Sequence, residues 1–169
     1  MKKEPWDSSS EKAKTLKIED FGTPDEVQEM AKPVRTATNR QEAVKILKEI
    51  AARGPLVNKS RLTVTLSSDS RGKIVSNKAL NTSYGQKAHF LAVANLDKLF
   101  FSSIEPWEYE LNPNKNNDEL KARRYLYAPI EFENKIIPVK MTVKEYKDTT
   151  LGKRLYSVEA IDVMLMAKK

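Results

Sequence analysis

Between Ile137 and Lys144 the chain alternates. Ile137, Val139, Met141 and Val143 are apolar, and Lys140, Thr142 and Lys144 fall between them. A period of two sends successive side chains to opposite faces of a strand, so one face belongs to a core and the other is wet and basic. One strand with an apolar face is not stable alone; it needs neighbours and a cover. Neighbours stand on both sides. RRYLYAPIEF (123–132) precedes it across Glu133-Asn134-Lys135, a tight hairpin connector. KRLYSVEAIDV (153–163) follows after the longer connector Asp148-Thr149-Thr150-Leu151-Gly152. That last strand alternates less cleanly, with Leu155, Ile161 and Val163 on one parity and Tyr156, Val158 and Ala160 on the other, as in a strand covered on both faces.

The cover is expected from QKAHFLAVANLDKLFFSS (86–103). At 100° per residue His89, Ala92, Val93, Leu96, Leu99 and Phe100 share one stripe, and Phe90, Ala94 and Phe101 form a second apolar patch. Asn95 and Lys98 face away on this wheel. Upstream, Thr23-Pro24-Asp25-Glu26 is a capping box that starts a short helix, which Pro33 must end. Asn39-Arg40-Gln41-Glu42 repeats the capping logic for a helix running to Gly54-Pro55. Leu62 to Ser67 alternates as a half-buried strand. Ser68 to Gly72 is rich in turn residues, Lys73 to Ser76 reads as a short strand or edge, and 77–85 and 111–119 read as loops. Helices followed by a meander of strands define an α+β fold: N-terminal helices, then a helix packed on a small twisted antiparallel sheet. The expected divisions are a flexible arm at 1–22, a helical segment at 23–54 and the α+β domain at 55–169.

Inventory removes several chemistries. The chain has no cysteine and one histidine, which argues against disulfides, thiolate nucleophiles and a catalytic zinc centre. Five glycines form no phosphate-binding loop. No Ser sits in a nucleophile-elbow context. No cofactor or metal is expected. No apolar run reaches the ~20 residues of a membrane span, and the first residues lack the apolar core of a signal peptide. No membrane partner is expected, and the chain reads as soluble. The net charge of +7 gathers toward the strand-rich end, where residues 113–169 hold 12 basic and 8 acidic residues. Such an excess fits a polyanion partner such as RNA, although solubility alone also accounts for it.

Two groups of residues carry candidate chemistry. His89, in the first turn of its helix, has an ordinary pKa of about 6.5, which suits proton transfer; a histidine bonded to a loop carbonyl is the simpler reading. Lys140, Thr142 and Lys144 share a face that either faces solvent or binds phosphate through charge and a hydroxyl. Arg123, Arg124, Lys153 and Arg154 at neighbouring strand ends extend that basic surface. Tyr125, Tyr127, Tyr146 and Tyr156 interleave aromatics with the cations, either as base-stacking platforms or as ordinary packing.

The run LVNKSRLTVTLSSDSRGKIVS, the His-led helix KAHFLAVANLDKLFFSSI, then YLYAPIEFENKIIPVKMTVKEY and RLYSVEAI, resembles a group of small bacterial and phage domains. These are the barnase–EndoU–colicin–RelE-like (BECR-fold) nuclease domains of phage toxins and of the polyvalent proteins of phages and conjugative elements. The resemblance spans about residues 55–163. It implies metal-independent RNA cleavage by 2′-hydroxyl attack, a hydrolase-like activity in the cytoplasm of a bacterial or phage-infected cell, or delivery there as an effector. An immunity or antitoxin protein is an implied partner. Carried onto this chain, His89 is the acid or base, Lys140 stabilises the phosphate, and Thr142 or Tyr156 supplies a hydroxyl. Arg123, Arg124, Lys144, Lys153, Arg154 and Tyr127 would hold the nucleic acid. With a single histidine, the second proton carrier would have to be Glu145, a tyrosine or a lysine. The rival is a non-catalytic module on the same fold that binds nucleic acid or protein; a third reading is a structural accessory domain whose charge is incidental. Opposite parity sets a geometric condition: His89 lies on a core-facing stripe and Lys140 on the wet face, so the two meet only if the helix start reaches past a sheet edge.

Overall fold

The computed structural model describes residues 16–77, 85–106, 110–111, 120–146 and 153–160. Most of the loop expected at 111–119, most of that at 77–85, the connector at 148–152, the end of the last strand and most of the N-terminal arm lie outside the described residues. The described chain forms a 3-10 turn (Ile18–Phe21), α1 (Pro24–Ala31), α2 (Arg40–Ala52), β1 (Leu56–Val57), β2 (Thr63–Val64), α3 (Ser68–Ile74), α4 (Gln86–Ala94), α5 (Leu96–Ser102), β3 (Glu110–Leu111), β4 (Leu120–Phe132), β5 (Lys135–Tyr146) and β6 (Lys153–Ala160). The fold is α+β. One antiparallel sheet has the order β3-β4-β5-β6, and β1 and β2 form a separate two-stranded ladder.

The long hairpin β4–β5 is the centre of this architecture. Glu133 and Asn134 both take positive φ, 51° and 65°, which is the geometry of a two-residue turn whose twist matches the strands. Pro129 opposes Pro138 in register. Neither proline breaks the β4–β5 ladder. Tyr127, two residues before Pro129, exchanges both backbone bonds with Ile104 on the far side, so this parity of β4 points its N–H groups away from β5.

The two sheet faces are covered by different parts of the chain. Leu126, Ala128, Ile130, Ile137, Val139, Met141 and Val143 meet the helical layer, which contributes Leu47, Ile50, Ile74, Phe90, Val93, Leu96 and Phe100 to one core. The opposite face carries Tyr127, packed with Leu16, Phe21 and Val27. The end of the segment expected to be a flexible arm is therefore docked: Leu16 and Phe21 are buried. Burying two such side chains contributes about 3 kcal/mol or more, enough to hold a short segment in place. It also turns the face expected to be wet into a partly covered one.

Local signals explain the helices. Thr23 Oγ1 accepts from the Glu26 N–H and Glu26 Oε1 accepts from the Thr23 N–H, at 3.2 and 2.8 Å. Asn39 Oδ1 caps α2 at the Glu42 N–H. The stretch 68–74, expected as a turn and a strand, is instead the helix α3. Ser67 Oγ accepts from the Ser70 N–H, and Ile74 and Val75 are buried below it. Serines and a glycine serve a capped short helix as readily as a turn.

The helix expected at 86–103 is two helices meeting at Asn95, and Asn95 does not face away. It is 1% exposed. Its Oδ1 accepts from the Val34 and Arg35 N–H groups at 2.8 and 3.0 Å. Its Nδ2 donates to the Arg35 and Leu91 carbonyls at 2.9 and 2.8 Å. Arg35 completes the clamp with a bidentate pair to Asp97, both bonds 2.8 Å. Lys98, also expected to face away, donates to the carbonyls of Glu29 and Lys32 and so tethers the end of α1.

The Arg35 guanidinium holds Asp97 below the ordinary carboxylate value of 3.8. Stability from this pair is therefore present above that value and lost as the pH falls below it. Asp97→Asn is expected to cost about 1–2 kcal/mol at neutral pH, since the pair is partly buried and bidentate. A urea titration at pH 7 checks the cost. The difference from wild type should shrink below pH ~4, where the unfolded chain's carboxylate takes up a proton that the paired one in the fold still resists.

Candidate nucleic-acid interface

The register of the sheet collects cations at one end. On the face away from the main core, Arg123 opposes Lys144 and Lys144 opposes Arg154, with Glu110 continuing the row on β3. The next row along the same face is Tyr125, Thr142 and Ser157, and the next is Tyr127, Lys140 and Glu159. The Lys140 ammonium sits 4.9 Å from the centroid of the Tyr125 ring, a cation–π contact.

Around the same sheet end, Glu145 gathers three more cations. Lys121 Nζ, Arg124 Nη1 and Lys153 Nζ lie 3.7, 3.9 and 3.9 Å from its carboxylate. Arg124 also donates from Nε to Glu105 at 3.1 Å. Among the described residues this end of the sheet therefore holds Lys121, Arg123, Arg124, Lys144 and Lys153 beside Glu105 and Glu145. The sequence marked the strand-end arginines and lysines. It did not show that Glu145 is their shared counter-ion, since three of these contacts cross strands.

A bulge sets the parity of the last strand. Thr142 opposes Ser157 while Val143 opposes Leu155, so Tyr156 is the extra residue. Leu155, Val158 and Ala160 consequently oppose Val143, Met141 and Val139, all positions of the helix-covered face. The broken alternation in the sequence is this one inserted residue. Tyr156 and Arg154 are placed by register alone.

His89 is not brought to Lys140 and Thr142. His89 is fully enclosed in the helical layer, and its Nε2 lies 2.7 Å from the Ile74 carbonyl. Burial pushes its pKa below the ordinary histidine value, and the Ile74 carbonyl offsets part of that shift. Lys140 and Thr142 belong to the opposite face, and the sheet with its core stands between them and His89. The start of α4 does not reach round the sheet edge; its Ala88 and Phe90 are in the main core. Thr142 is itself buried at 7% exposure. Tyr127, a stacking candidate, is 2% exposed beneath Leu16 and Phe21 and presents no ring surface to a base. Arg123, Lys144 and Lys153 are half-buried.

Fold and site together define an α+β module with a concentrated cationic sheet end and a histidine locked in its core. The chain belongs to the large polyvalent protein-associated domain 3 family, whose model matches residues 35–156. That match takes in α2 as well as the sheet. Comparison with curated proteins and with solved structures gives no match. Among the described residues, no helix is long and apolar enough to cross a membrane.

Proposed function

We propose that this domain is a nucleic-acid-binding module of a polyvalent protein from a phage or mobile element, holding RNA at the basic end of its sheet without cutting it. The observation that carries this reading is the gathering of cations at one sheet end, where Arg123 and Lys144 are opposed in register. A phosphodiester backbone laid across that end meets several cations at once. Lys121, Arg124 and Lys153 extend the surface around the sheet end. A cleavage mechanism of the nuclease type needs a proton carrier within hydrogen-bond reach of the phosphate. With His89 enclosed on the far side of the sheet from Lys140, the geometry favours binding over catalysis. The site of action would be the cytoplasm of a bacterial host.

Fluorescence anisotropy of a labelled single-stranded RNA, in EDTA, tests this. Wild type is expected to bind with a Kd of about 10⁻⁴–10⁻⁶ M at physiological salt, with log K falling linearly against log salt. Arg123→Ala and Lys144→Ala should each weaken binding and reduce the slope by about 0.7, the value for one phosphate contact to a single strand. Salt-independent binding, or none, would overturn the proposal. RNA cut by wild type in EDTA would restore the nuclease reading in its place.

A further inference from the structure

A second surface lies between α2 and α3, away from the sheet end. Gln41, Val44, Lys45 and Lys48 recur at helical spacing on one side of α2, while Glu42 and Glu49 fall elsewhere on that helix. That stripe borders two adjoining hollows. One, of about 250 Å³, is lined by Val44, Leu47, Lys48, Arg71, Gly72 and Val75, among others. The other, of about 370 Å³, shares Val44 and Lys48 and adds Arg40, Gln41 and Lys45. The floor is apolar, and the rim is cationic, with no carboxylate among the described lining residues. Lys45 and Lys48 are exposed. Arg71 is anchored by its bond to the Leu66 carbonyl, and Arg40 by its bonds to the Val75 carbonyl and Asn77. Two cations are thus held by backbone carbonyls and two are exposed on long stems.

We infer that this groove docks an acidic amphipathic helix of a protein partner, with an apolar side chain on Val44, Leu47 and Val75 and carboxylates against Lys45, Lys48 and Arg71. The floor decides between partner classes. A phosphate backbone has no apolar part to bury on aliphatic side chains, and among the described lining residues there is no aromatic ring to stack a base. A helix carrying leucine on one face and glutamate beside it satisfies floor and rim at once. Lysine stems also cover apolar surface while their heads stay in water, so Lys45 and Lys48 can close over such a helix.

Gly72 supplies a specific test. It lies within α3, and a Cβ built on it meets nothing within 4 Å. Gly72→Leu should therefore fill the hollow from the wall without disturbing the fold. The probe is a fluorescein-labelled helical peptide rich in glutamate with leucines spaced i, i+4, titrated with the full chain. Saturable binding is expected. It should weaken about tenfold or more with Gly72→Leu, with Lys48→Glu, and with a peptide whose leucines are replaced by serine, a loss of 1.4 kcal/mol or more. Circular dichroism of each variant confirms folding, and RNA binding at the sheet end should be unchanged in Gly72→Leu. Equal binding of the serine peptide would reduce the groove to a bare cationic surface and overturn the inference. So would absence of saturable binding, or binding indifferent to both variants.

Discussion

Replacing Asn95 with alanine is expected to cost about 3–5 kcal/mol, the largest loss of any exchange of a polar side chain in this fold. The side chain meets four backbone groups at once, two donors and two acceptors, at the break between α4 and α5. Alanine returns none of these bonds, and each buried group left without a partner costs about 1–3 kcal/mol unless water reaches it. Water reaches some of them, because Val34 beside the clamp is exposed. That is why the expected total stays near the lower end of a simple sum. Asn95→Asp separates the two halves of the interaction. A carboxylate keeps the acceptor toward Val34 and Arg35 but loses the donor toward Arg35 and Leu91, so an intermediate loss is expected. Urea midpoints of the two variants check this; a loss under about 1 kcal/mol for alanine would show that the 32–37 segment is held by something else.

His89 should be the second most sensitive polar position, and its signature is a pH dependence. Its ring is enclosed, hydrogen-bonded to the Ile74 carbonyl and held neutral by burial. The unfolded chain protonates this histidine near pH 6.5 while the folded chain resists it, so the unfolded state binds more protons below that value. The histidine therefore costs nothing above pH ~6.5, and the fold weakens as the pH falls below it, by at most about 1.4 kcal/mol per unit. The chain has one histidine, so a slope between pH 5.5 and 6.5 is assignable. His89→Ala should lose about 3 kcal/mol at pH 7.5 through the cavity and the orphaned carbonyl, and lose most of the acidic slope. Thermal unfolding across that range decides the matter. A wild-type profile that stays flat down to pH 5.5 would mean that the ring is protonated in the folded state, and would reopen its use as an acid.

The parts of the fold legible in the sequence are those set by neighbours along the chain. The Thr23 box, the Asn39 cap and the Glu133-Asn134 turn are each written within five residues. The alternation from Ile137 to Val143 identified the covered face, and the strand order followed from the short connections. What escaped depends on partners distant in sequence. A wheel turns a polar residue such as Asn95 toward solvent, because nothing local says that the backbone of residues 34 and 35 arrives there. The face of Lys140 and Thr142 was expected to be wet for the same reason; parity reports polarity, and the arrival of Leu16 and Phe21 is a tertiary event. The candidate site was legible as an inventory of cations but not as a geometry. The condition that His89 and Lys140 share a site only if α4 passes the sheet edge was readable in advance from their parities, and the packing of Ala88 and Phe90 answers it.

The Asn95 clamp also bears on the order in which the molecule comes together. It joins positions 60 and 61 residues apart, whereas the β4–β5 hairpin closes through two residues. Closing a long loop costs entropy before its bonds return anything, so contacts of this separation form after local ones. On a ribosome the asymmetry is sharper. Residues 35–52 leave the tunnel well before α4 and α5, and all three helices are complete before the sheet that forms their floor. Leu47, Ile50 and Phe100 stay uncovered for that interval. The clamp ties the segment between α1 and α2 to the junction of α4 and α5 without needing a strand, so the nascent half of the domain has a defined polar contact available while its apolar face waits for cover.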